Sequence, residues 1–493
     1  MLLSKLLSCL TKKDLVGNFT DVDISAIVYD SRKVTKGDLF VAISGTSVDG
    51  HQYIDQAVAQ GAEAVLLERL PTPLPQIPLI VVEDSRRAMA RLASTFFDHP
   101  DRKMRMIGVT GTNGKTTTTN LVKWLFEGKG LKTGLIGTIE NRAGDKVLPA
   151  THTTPESTEL YELLSMMYKE GCAAVVMEVS SHALAQGRVL ACDFDAAVFS
   201  NLTQDHLDYH GTLAEYLRSK TMLFTMIEPH ADINRYSVIN LDDDSAAAFI
   251  NASKVEVVTY GKTKDATLRL LKYQPTASGM MFKVLWQAQQ YQIVIPLFGV
   301  FNVYNTLAAM AVALQEGLPM EYIIERMAAA PQVPGRFEIV DCGQDFLVVV
   351  DYAHTPDGLS NILNAASDLK PQRLISVFGC GGNRDRGKRP IMGKIGVELS
   401  DIAIITSDNP RFEEPMDIIA QVVEGATLAG DNYYVEENRG KAIEMAIALA
   451  QKGDIVVIAG KGHENYQLIK GQVLHFDDKE TVREILLAKN ISC

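Results

Sequence analysis

Short apolar runs alternate with amphipathic segments along most of the chain. In the first hundred residues, GDLFVAISG and AEAVLLE are typical of buried strands, and YIDQAVAQG between them is typical of a helix. The leading residues MLLSKLLSCLTKK predict an amphipathic helix. PTPLPQIP is too interrupted by proline for a helix and predicts a surface connection between two strands. HPDRK, near residue 100, is the first candidate linker.

From Met104 onward the alternation of strands and helices is more regular. MIGVTG, LIGT, AAVVMEVSS and AAVFSNL predict strands, and KTTTTNLVKWLFEGKG predicts a helix. A second helix is predicted over TTPESTELYELLSMMYKEG, with Thr154 as its N-cap and Pro155 at its first position. This alternation predicts a mostly parallel, doubly wound sheet. Four apolar runs within 255–297 predict antiparallel strands added to that sheet.

A second candidate linker, PQVPGRFE near 331–338, precedes a third alternating region. Its predicted strands are FLVVVDY, LISVFG, DIAIITSD and DIVVIAG. The two linkers divide the chain into 1–99, 100–333 and 334–493. The expected fold class is α/β with three domains.

Composition narrows the classes of partner. The 493 residues carry a formal net charge of −12, which argues against a nucleic-acid partner or an anionic membrane surface. No apolar stretch approaches the roughly 18–20 residues that span a bilayer. The six cysteines form no C-x-x-C pair, which favours free thiols in a reducing compartment. We expect a cytoplasmic protein.

The sharpest local signal is GTNGKT, residues 111–116, between a predicted strand and a helix. Backbone N–H groups of such a turn hold polyphosphate oxygens; Lys115 would reach the β- and γ-phosphates, and the Thr116 hydroxyl would hold Mg²⁺. The strict phosphate-loop pattern fails, because Val109 occupies its first glycine position. The alternative is a Gly-rich turn before a helix.

Two candidate metal ligands follow neighbouring strands. Glu178 ends AAVVMEV, and His206 lies just beyond AAVFSNL. The carboxyl ends of parallel strands line the ligand crevice, so both side chains would face the phosphate loop. Alternatively, Glu178 is a capping carboxylate and His206 only begins a helix.

Polar clusters also end the strands of the last third. They are 351–357, 379–389, 407–411 and 460–464. Arg384 and Arg411 could bind a carboxylate bidentately, and Glu464 could hold an ammonium group. The clusters together predict a pocket for a zwitterionic, amino-acid-like ligand, unless they are simply solvated loops.

The motifs GTNGKT, MEVSSH, NLTQDHLDYHG, GVFNVYN, PGRFE, DYAHTPDG and GCGGNRDRGKRP occur in this order. The chain thereby resembles the Mur ligases, ATP-dependent amide-bond ligases of peptidoglycan precursor synthesis. The resemblance implies a small N-terminal domain for a uridine nucleotide, a central ATPase and a Rossmann-like C-terminal domain for the incoming amino acid. It implies small-molecule substrates and two Mg²⁺ ions, with ATP as co-substrate. We expect a monomer.

The resemblance also implies residue roles. ATP-side residues are Gly111, Thr112, Asn113, Gly114, Lys115, Thr116, Thr117, Asn302, Asn305, Arg336 and Asp351. Ser31 would contact the uridine nucleotide, and the muramoyl-dipeptide contacts would be Thr153, Thr154, Ser180, Gln186 and Arg188. Lys220 matches a lysine that is carbamylated and helps hold a second Mg²⁺, beside Thr116, Glu178 and His206. Amino-acid contacts would be Arg384, Asp408, Asn409, Pro410, Arg411, Gly460 and Glu464.

The intact Asp408-Asn409-Pro410-Arg411 motif resembles that of members that add meso-diaminopimelate. This amino acid carries a distal carboxylate that Arg411 can grip, whereas lysine has none, and a buried unpaired arginine would penalise lysine. Two departures concern the sugar nucleotide: His152 replaces a usual asparagine, and Thr46-Ser47-Val48 occupies a usually more polar contact.

The expected reaction is carboxylate activation by ATP to an acyl phosphate, followed by attack of the amine. Two rivals remain at this point. A folylpolyglutamate-synthase-like or cyanophycin-synthetase-like ligase would keep the chemistry and change the substrate. A P-loop switch would hydrolyse nucleotide without a carboxylate acceptor.

Overall fold

The structure, a computed structural model, describes residues 1–17, 21–45 and 48–488. Thr46 and Ser47, singled out above as a departure, lie outside the described residues. Within those residues the strands form three larger sheets and one hairpin. The expected three-part α/β organisation is therefore confirmed as a fold class.

The first sheet has the order β1-β5-β4-β3-β2, in which β2 to β5 are parallel and β1 is antiparallel. The predicted strands GDLFVAISG and AEAVLLE contain β3 and β4. The leading helix is shorter than expected, four residues followed by a 3₁₀ turn over Leu7–Cys9. The elements are α1 (Leu3–Leu6), β1 (Asp14–Val16), β2 (Ile27–Val28), β3 (Leu39–Val41), α2 (Ile54–Ala59), β4 (Ala64–Leu67), β5 (Leu79–Val81) and α3 (Ser85–Phe96).

The central sheet has eleven strands, and helices pack on both of its faces. Its elements are β6 (Arg105–Thr110), α4 (Lys115–Gly128), β7 (Thr133–Ile136), β8 (Glu140–Ala143), β9 (Lys146–Pro149), α5 (Ser157–Lys169), β10 (Ala174–Glu178), α6 (Ser181–Ala185), β11 (Ala196–Phe199), α7 (Leu207–His210), α8 (Leu213–Thr225), β12 (Tyr236–Asn240), α9 (Ala246–Ala252), β13 (Glu256–Gly261), β14 (Leu268–Thr276), β15 (Gly279–Trp286), β16 (Gln289–Ile295), α10 (Val300–Gln315) and α11 (Met320–Ala328). The strand order is β16-β15-β14-β13-β12-β11-β6-β10-β7-β8-β9. Because β6 lies between β10 and β11, the turns after these three strands open on one edge.

Two expectations for this region are wrong. The helix α5 begins at Ser157 with Glu156 as N-cap residue, not at Thr154, because the Thr154 hydroxyl instead donates to the carbonyl oxygen of Glu178 (2.8 Å). The apolar runs within 255–297 are not all antiparallel. β13 is parallel to both β12 and β14, and only β14, β15 and β16 form an antiparallel meander.

The third sheet has the order β17-β18-β22-β19-β20-β21 and is parallel except for β17. Helices cover both faces, so the predicted strands are nearly continuous apolar runs. The elements are β17 (Glu338–Val340), β18 (Leu347–Asp351), α12 (Pro356–Ser367), β19 (Leu374–Phe378), α13 (Lys388–Glu398), β20 (Ile402–Ile405), α14 (Pro415–Ala429), β21 (Tyr433–Val435), α15 (Arg439–Leu449), β22 (Ile455–Ala459), β23 (Tyr466–Ile469), β24 (Gln472–His475) and α16 (Asp478–Ala488). The pair β23–β24 forms the separate hairpin.

Two features concern the expected location of the protein: the state of its cysteines and the length of its helices. Cys9, Cys172, Cys192 and Cys380 are free thiols. Cys342 is disulfide-bonded, so the expectation of free thiols is wrong at that position. Among the described helices, none combines the length and the apolarity that a membrane crossing requires.

Candidate active site

The predicted phosphate loop connects β6 to α4. Gly111 (φ +147°) and Gly114 (φ +87°) have backbone conformations that favour glycine. A Cβ at position 111 would lie 1.9 Å from Ser200 Oγ, and one at 114 would lie 2.2 Å from Asn305 Oδ1. Both glycines therefore allow the loop to approach its neighbours closely, and Asn305 of α10 lies against the loop.

Two lysines converge on the carbonyl oxygen of Gly111. Lys115 Nζ donates to it and to Thr112 O, each over 2.9 Å, and Lys220 Nζ of α8 donates to it over 2.7 Å. Burial lowers the pKa of both amines, and the charge of Lys115 lowers that of Lys220 further. The structure thus brings the two predicted catalytic lysines together beside the phosphate loop.

A pair of hard oxygen donors lies beside the loop. Thr116 Oγ1 donates to Glu178 Oε2 over 3.0 Å, and Thr138 bonds to the same carboxylate through its N–H (2.8 Å) and its hydroxyl (3.0 Å). Arg336 reaches across from the C-terminal region and donates from Nη2 to Thr116 Oγ1 over 3.0 Å. A hydroxyl and a carboxylate are ligands that suit Mg²⁺, so these residues fit the expected metal.

His206 begins α7 in a left-handed conformation (φ +56°), and its Nε2 lies 3.3 Å from Asp205 Oδ2. Burial lowers the pKa of the imidazole, which favours the neutral ring that metals bind. Burial alone would raise the pKa of Asp205, but nearby His206, His354 and Lys388 lower it. Within 1–17, 21–45 and 48–488, no three or more His, Cys, Asp or Glu side chains are grouped to hold a metal.

A cavity of about 470 Å³ lies between the central and C-terminal sheets. Seven predicted ATP-side residues line it, namely Asn113, Gly114, Thr116, Thr117, Asn305, Arg336 and Asp351. Asn302 lies behind them and accepts a hydrogen bond from Asn305 Nδ2 (3.1 Å). The dimensions suit a nucleotide.

Asp351 ends β18 and anchors the turn that closes this cavity. Its carboxylate accepts the N–H groups of Phe337 and Ala353, each over 2.7 Å, and burial raises its pKa. Asn113 Nδ2 donates to Asp357 Oδ2 over 2.8 Å. The phosphate loop is therefore bonded directly to the start of α12.

The residues expected to contact the muramoyl dipeptide form one network beyond β10. Ser180 N donates to Thr154 Oγ1 (3.0 Å), and Arg188 donates to Thr154 O (2.9 Å) and to Gln186 Oε1 (3.0 Å). Thr153 Oγ1 lies 3.0 Å from Thr138 Oγ1, which bonds to Glu178. Two hydrogen bonds, through Thr138, thus connect Thr153 to Glu178, which in turn bonds to Thr116 of the phosphate loop.

Ser31 and His152 lie apart from that network. Ser31 is nearly buried in the N-terminal sheet region, and its hydroxyl donates to Gln56 Oε1 (3.2 Å). His152 is exposed, with Nδ1 3.2 Å from Thr151 Oγ1. Tyr29, two residues before Ser31, donates to Glu159 Oε1 of α5 over 2.7 Å, which places this part of the N-terminal region against the central one.

A second cavity, of about 180 Å³, lies at the carboxyl ends of the C-terminal strands. It is lined by the predicted amino-acid contacts Arg384, Asp408, Asn409, Arg411, Gly460 and Glu464, and by Asp205 and His206 from the central region. Pro410 lies behind the lining, where its carbonyl oxygen would be 2.0 Å from a Cβ at Gly382.

The second cavity contains charged side chains of both signs. Burial lowers the pKa of Arg411, and the nearby charge of Arg384 lowers it further, so two guanidinium groups lie within electrostatic reach. Glu464 accepts from Asn409 Nδ2 over 2.9 Å, and burial and Asp408 raise its pKa. A ligand with a carboxylate near the arginines and an ammonium near the carboxylates would neutralise both groups.

The two cavities share Tyr352 and His354 as lining residues. The cavity beside the phosphate loop and the second cavity are therefore adjacent.

Several contributors were given no individual role in the sequence analysis, although most of them lie inside the predicted polar clusters. Asp205, Tyr352, His354 and Asp357 lie inside the motifs NLTQDHLDYHG and DYAHTPDG, so the motifs themselves were the available signal. Lys461, which lies in the predicted cluster 460–464, is fully buried and donates to Asn409 Oδ1 over 3.1 Å; its burial was not predicted.

Comparison with known proteins adds independent evidence. Three family models match: the Mur ligase family catalytic domain over 23–97, the Mur ligase middle domain over 109–313, and the Mur ligase glutamate ligase domain over 335–462. A solved structure of a UDP-N-acetylmuramoyl-L-alanyl-D-glutamate–2,6-diaminopimelate ligase superposes with a TM-score of 0.68 at 33% identity. It covers 99% of this chain and 100% of its own.

Two curated relatives bear that same enzyme name. The Caldanaerobacter subterraneus subsp. tengcongensis protein is 47% identical over 475 residues, 96% of this chain and 97% of its own length. A Clostridium acetobutylicum protein, ligase 1 of that name, is 45% identical over 477 residues, which are 96% of this chain and 97% of its own length. With three matching family models and relatives of this identity over nearly its whole length, the chain belongs to the Mur ligase family.

Proposed function

We propose that this chain is the ATP-dependent ligase that adds meso-diaminopimelate to the D-glutamate of UDP-N-acetylmuramoyl-L-alanyl-D-glutamate, a step of peptidoglycan precursor synthesis. The observation that carries the proposal is the shared boundary of the two cavities at Tyr352 and His354. A nucleotide in one and an amino acid in the other would meet there. The names of the relatives reported above agree with this assignment.

The reaction proceeds in two steps. The D-glutamate carboxylate attacks the γ-phosphorus of ATP, forming an acyl phosphate and releasing ADP. The amine of diaminopimelate then attacks the acyl carbon, and phosphate leaves with the electrons of the C–O bond. The chain supplies position and charge rather than a covalent nucleophile. Lys115 and the N–H groups of residues 114–116, at the start of α4, would neutralise the phosphates, and Arg336 and Asn305 would orient the nucleotide.

Thr116 and Glu178 would hold the first of two Mg²⁺ ions, with His206 and a carbamylated Lys220 available for the second. Magnesium, when bound, supplies positive charge to the phosphate oxygens. The burial that lowers the pKa of Lys220 favours its neutral amine. A neutral amine is the form that can add carbon dioxide, and the resulting carbamate is an anionic oxygen ligand.

The acceptor and the amino acid would enter from opposite sides. Thr153, Thr154, Ser180, Gln186 and Arg188 would hold the muramoyl dipeptide beside Glu178, and Ser31 would contact the uridine nucleotide. The domains over 1–99, 100–333 and 334–493 would thus bind sugar nucleotide, ATP and amino acid in turn.

In the C-terminal pocket, the distal carboxylate of meso-diaminopimelate would lie between Arg411 and Arg384. Lysine lacks this carboxylate, so it would leave the half-buried Arg411 without its anion and bind less tightly. Glu464, Asn409 and the main chain at Gly460 would receive the ammonium end.

The setting of the reaction follows from its substrates. ATP and UDP-linked precursors are cytoplasmic metabolites, so we place the enzyme in the cytoplasm. One chain lines both cavities, so a monomer suffices. The acidic net charge of −12 gives no reason to add a nucleic-acid or membrane partner.

An amino-acid panel tests the proposal. Purified protein is incubated with ATP, Mg²⁺ and UDP-N-acetylmuramoyl-L-Ala-D-Glu, and phosphate release is measured with meso-diaminopimelate, L-lysine or L-ornithine. We expect strong stimulation by meso-diaminopimelate alone. Equal stimulation by L-lysine would contradict the specificity, and phosphate release that needs no acceptor would indicate a nucleotide switch.

A further inference from the structure

The hairpin β23–β24 pairs with the loop that carries Arg411. Arg411 N donates to Leu468 O over 2.9 Å, and Lys470 N donates to Arg411 O over 2.6 Å. Arg411 forms a parallel β-bridge with Ile469. The hairpin therefore continues as a short third strand through Arg411 itself.

The geometry of the turn explains why this edge of the hairpin is available. Lys470 (φ +47°) and Gly471 (φ +81°) form a two-residue turn, and Leu468 lies opposite Val473. In such a hairpin the residues next to the turn bond to each other, and the following pair directs its N–H and C=O groups outward. The main chain of Leu468 thus points away from β24 and toward the loop.

Side chains reinforce the attachment. Leu468 N donates to Asn409 Oδ1 (3.0 Å), and Gln467 Nε2 donates to Asp408 O (2.6 Å). The buried Lys461 Nζ donates both to Asn409 Oδ1 (3.1 Å) and to Tyr466 O (2.6 Å). Asp408, Asn409 and Arg411 are each bonded to the hairpin or to the lysine that anchors it.

Each partner in this arrangement has a feature that contact with the other stabilises. Arg411 has φ +55°, a left-handed conformation that is unfavourable for a residue with a Cβ. A two-stranded hairpin is marginal by itself, and β24 is exposed along its whole length. The guanidinium of Arg411 donates from Nη1 to Gly382 O over 2.9 Å. The hairpin thus holds the main chain of Arg411, and the loop at Gly382 holds its side chain.

We propose that the hairpin Tyr466–His475 is a specificity-determining positioning element. It fixes Arg411 so that an amino acid with a distal carboxylate is selected over one without. This inference rests on the proposed function. It predicts that selectivity can be lost by changes in the hairpin that remove no group touching substrate.

The test is a pair of proline variants. Leu468→Pro removes the N–H that donates to Asn409 and leaves the hairpin's own ladder intact. Val473→Pro places the same ring at the opposite, outward-facing position of β24, far from the loop. For each we measure kcat and KM for meso-diaminopimelate and L-lysine, KM for ATP, and the thermal midpoint.

We expect Leu468→Pro to raise KM for meso-diaminopimelate about tenfold and to lower the meso-diaminopimelate-to-lysine ratio of kcat/KM by a similar factor. KM for ATP should stay within about twofold, and Val473→Pro should leave all of these values near wild type. An unchanged ratio in Leu468→Pro, or an equal loss in both variants, would overturn the inference.

Two alanine variants provide the same test if the proline variants fail to fold. Gln467→Ala removes the bond to Asp408 O, and Gln472→Ala removes the same amide from the exposed strand. Loss of selectivity in the first alone supports the positioning role, and equal behaviour of the two refutes it. If wild-type protein releases no phosphate with meso-diaminopimelate, the proposed function itself fails, and this inference falls with it.

Discussion

The hydroxyl of Thr116 and the carboxylate of Glu178 lie 3.0 Å apart at the ends of two neighbouring segments, the start of α4 and the end of β10. This pairing joins the phosphate loop to a fixed negative charge that is almost fully buried. A buried carboxylate without a cation is unfavourable, so the arrangement suits a divalent ion shared with phosphate oxygens.

Glu178→Gln keeps the shape of the side chain and removes its charge. We expect kcat to fall by about 100-fold or more, since the ion's contribution to the transition state is several kcal/mol. The Mg²⁺ concentration needed for half-maximal rate should rise. A Mg²⁺ titration of phosphate release measures both, and an unchanged Mg²⁺ requirement would contradict the assignment.

Lys220→Ala should be inactive and partly restored by a small carboxylate such as formate or acetate, because the added anion can replace a carbamate oxygen. Phosphate release is measured against carboxylate concentration. Lys115→Ala is the matched control: its amine would act as a cation, so carboxylates should not restore it. If added carboxylate restores neither variant at any concentration, the result argues against a carbamylated Lys220 as a metal ligand.

Arg411→Ala should raise KM for meso-diaminopimelate about 10- to 100-fold, since hydrogen bonds to a charged group contribute about 1.5–3 kcal/mol. KM for the UDP-sugar should hardly change, because Arg411 lies in the C-terminal cavity. Both KM values are measured by steady-state kinetics, with each substrate varied in turn. Parallel losses for both substrates would place the arginine elsewhere in the mechanism.

Asp357→Ala removes the acceptor of the 2.8 Å bond from Asn113. The phosphate loop would lose its direct tie to α12, and we expect KM for ATP to rise about fivefold, which corresponds to about 1 kcal/mol. Asp368→Ala removes an exposed carboxylate from the other end of the same helix and should leave KM for ATP unchanged. Equal effects of the two variants would indicate a general charge effect instead.

Glu413 forms a bidentate pair with the fully buried Arg389, each bond 2.9 Å long. Hydrogen bonds from Arg389 lower the pKa of Glu413 from 4.5 to about 2. The folded-state pKa is depressed, so this pair contributes stability above about pH 4.5 and loses it as the pH falls toward 2.

Glu413→Gln should therefore destabilise the protein at pH 7 by roughly 3 kcal/mol, as expected when a buried pair loses one partner. The gap between variant and wild type should narrow as the pH falls from 4.5 toward 2. Denaturant unfolding at pH 7 and pH 3.5 measures it. A gap of the same size at both pH values would show that the carboxylate charge is not what stabilises the pair.

The sequence was sufficient for the fold class and for the location of the polar clusters at strand ends, because alternation of apolar runs and turn residues is a local property. Thr154 was misassigned as a helix cap because its hydroxyl is used by Glu178, which lies 24 positions away. The attachment of the hairpin to Arg411 could not be predicted, because main-chain hydrogen bonds do not depend on the type of residue that makes them. Asp205 was missed because its contact with His206 depends on a left-handed turn.

The carbonyl oxygen of Gly111 accepts hydrogen bonds from the side-chain amines of both Lys115 and Lys220. Triphosphate oxygens must compete with this carbonyl for Lys115, so nucleotide docking exchanges one set of bonds for another and gains less affinity than a free cation would give. The same exchange runs backward when ADP departs, because the lysine returns to its internal acceptors. If the nucleotide binds here, the loop would thereby lower the affinity for ADP and speed its release.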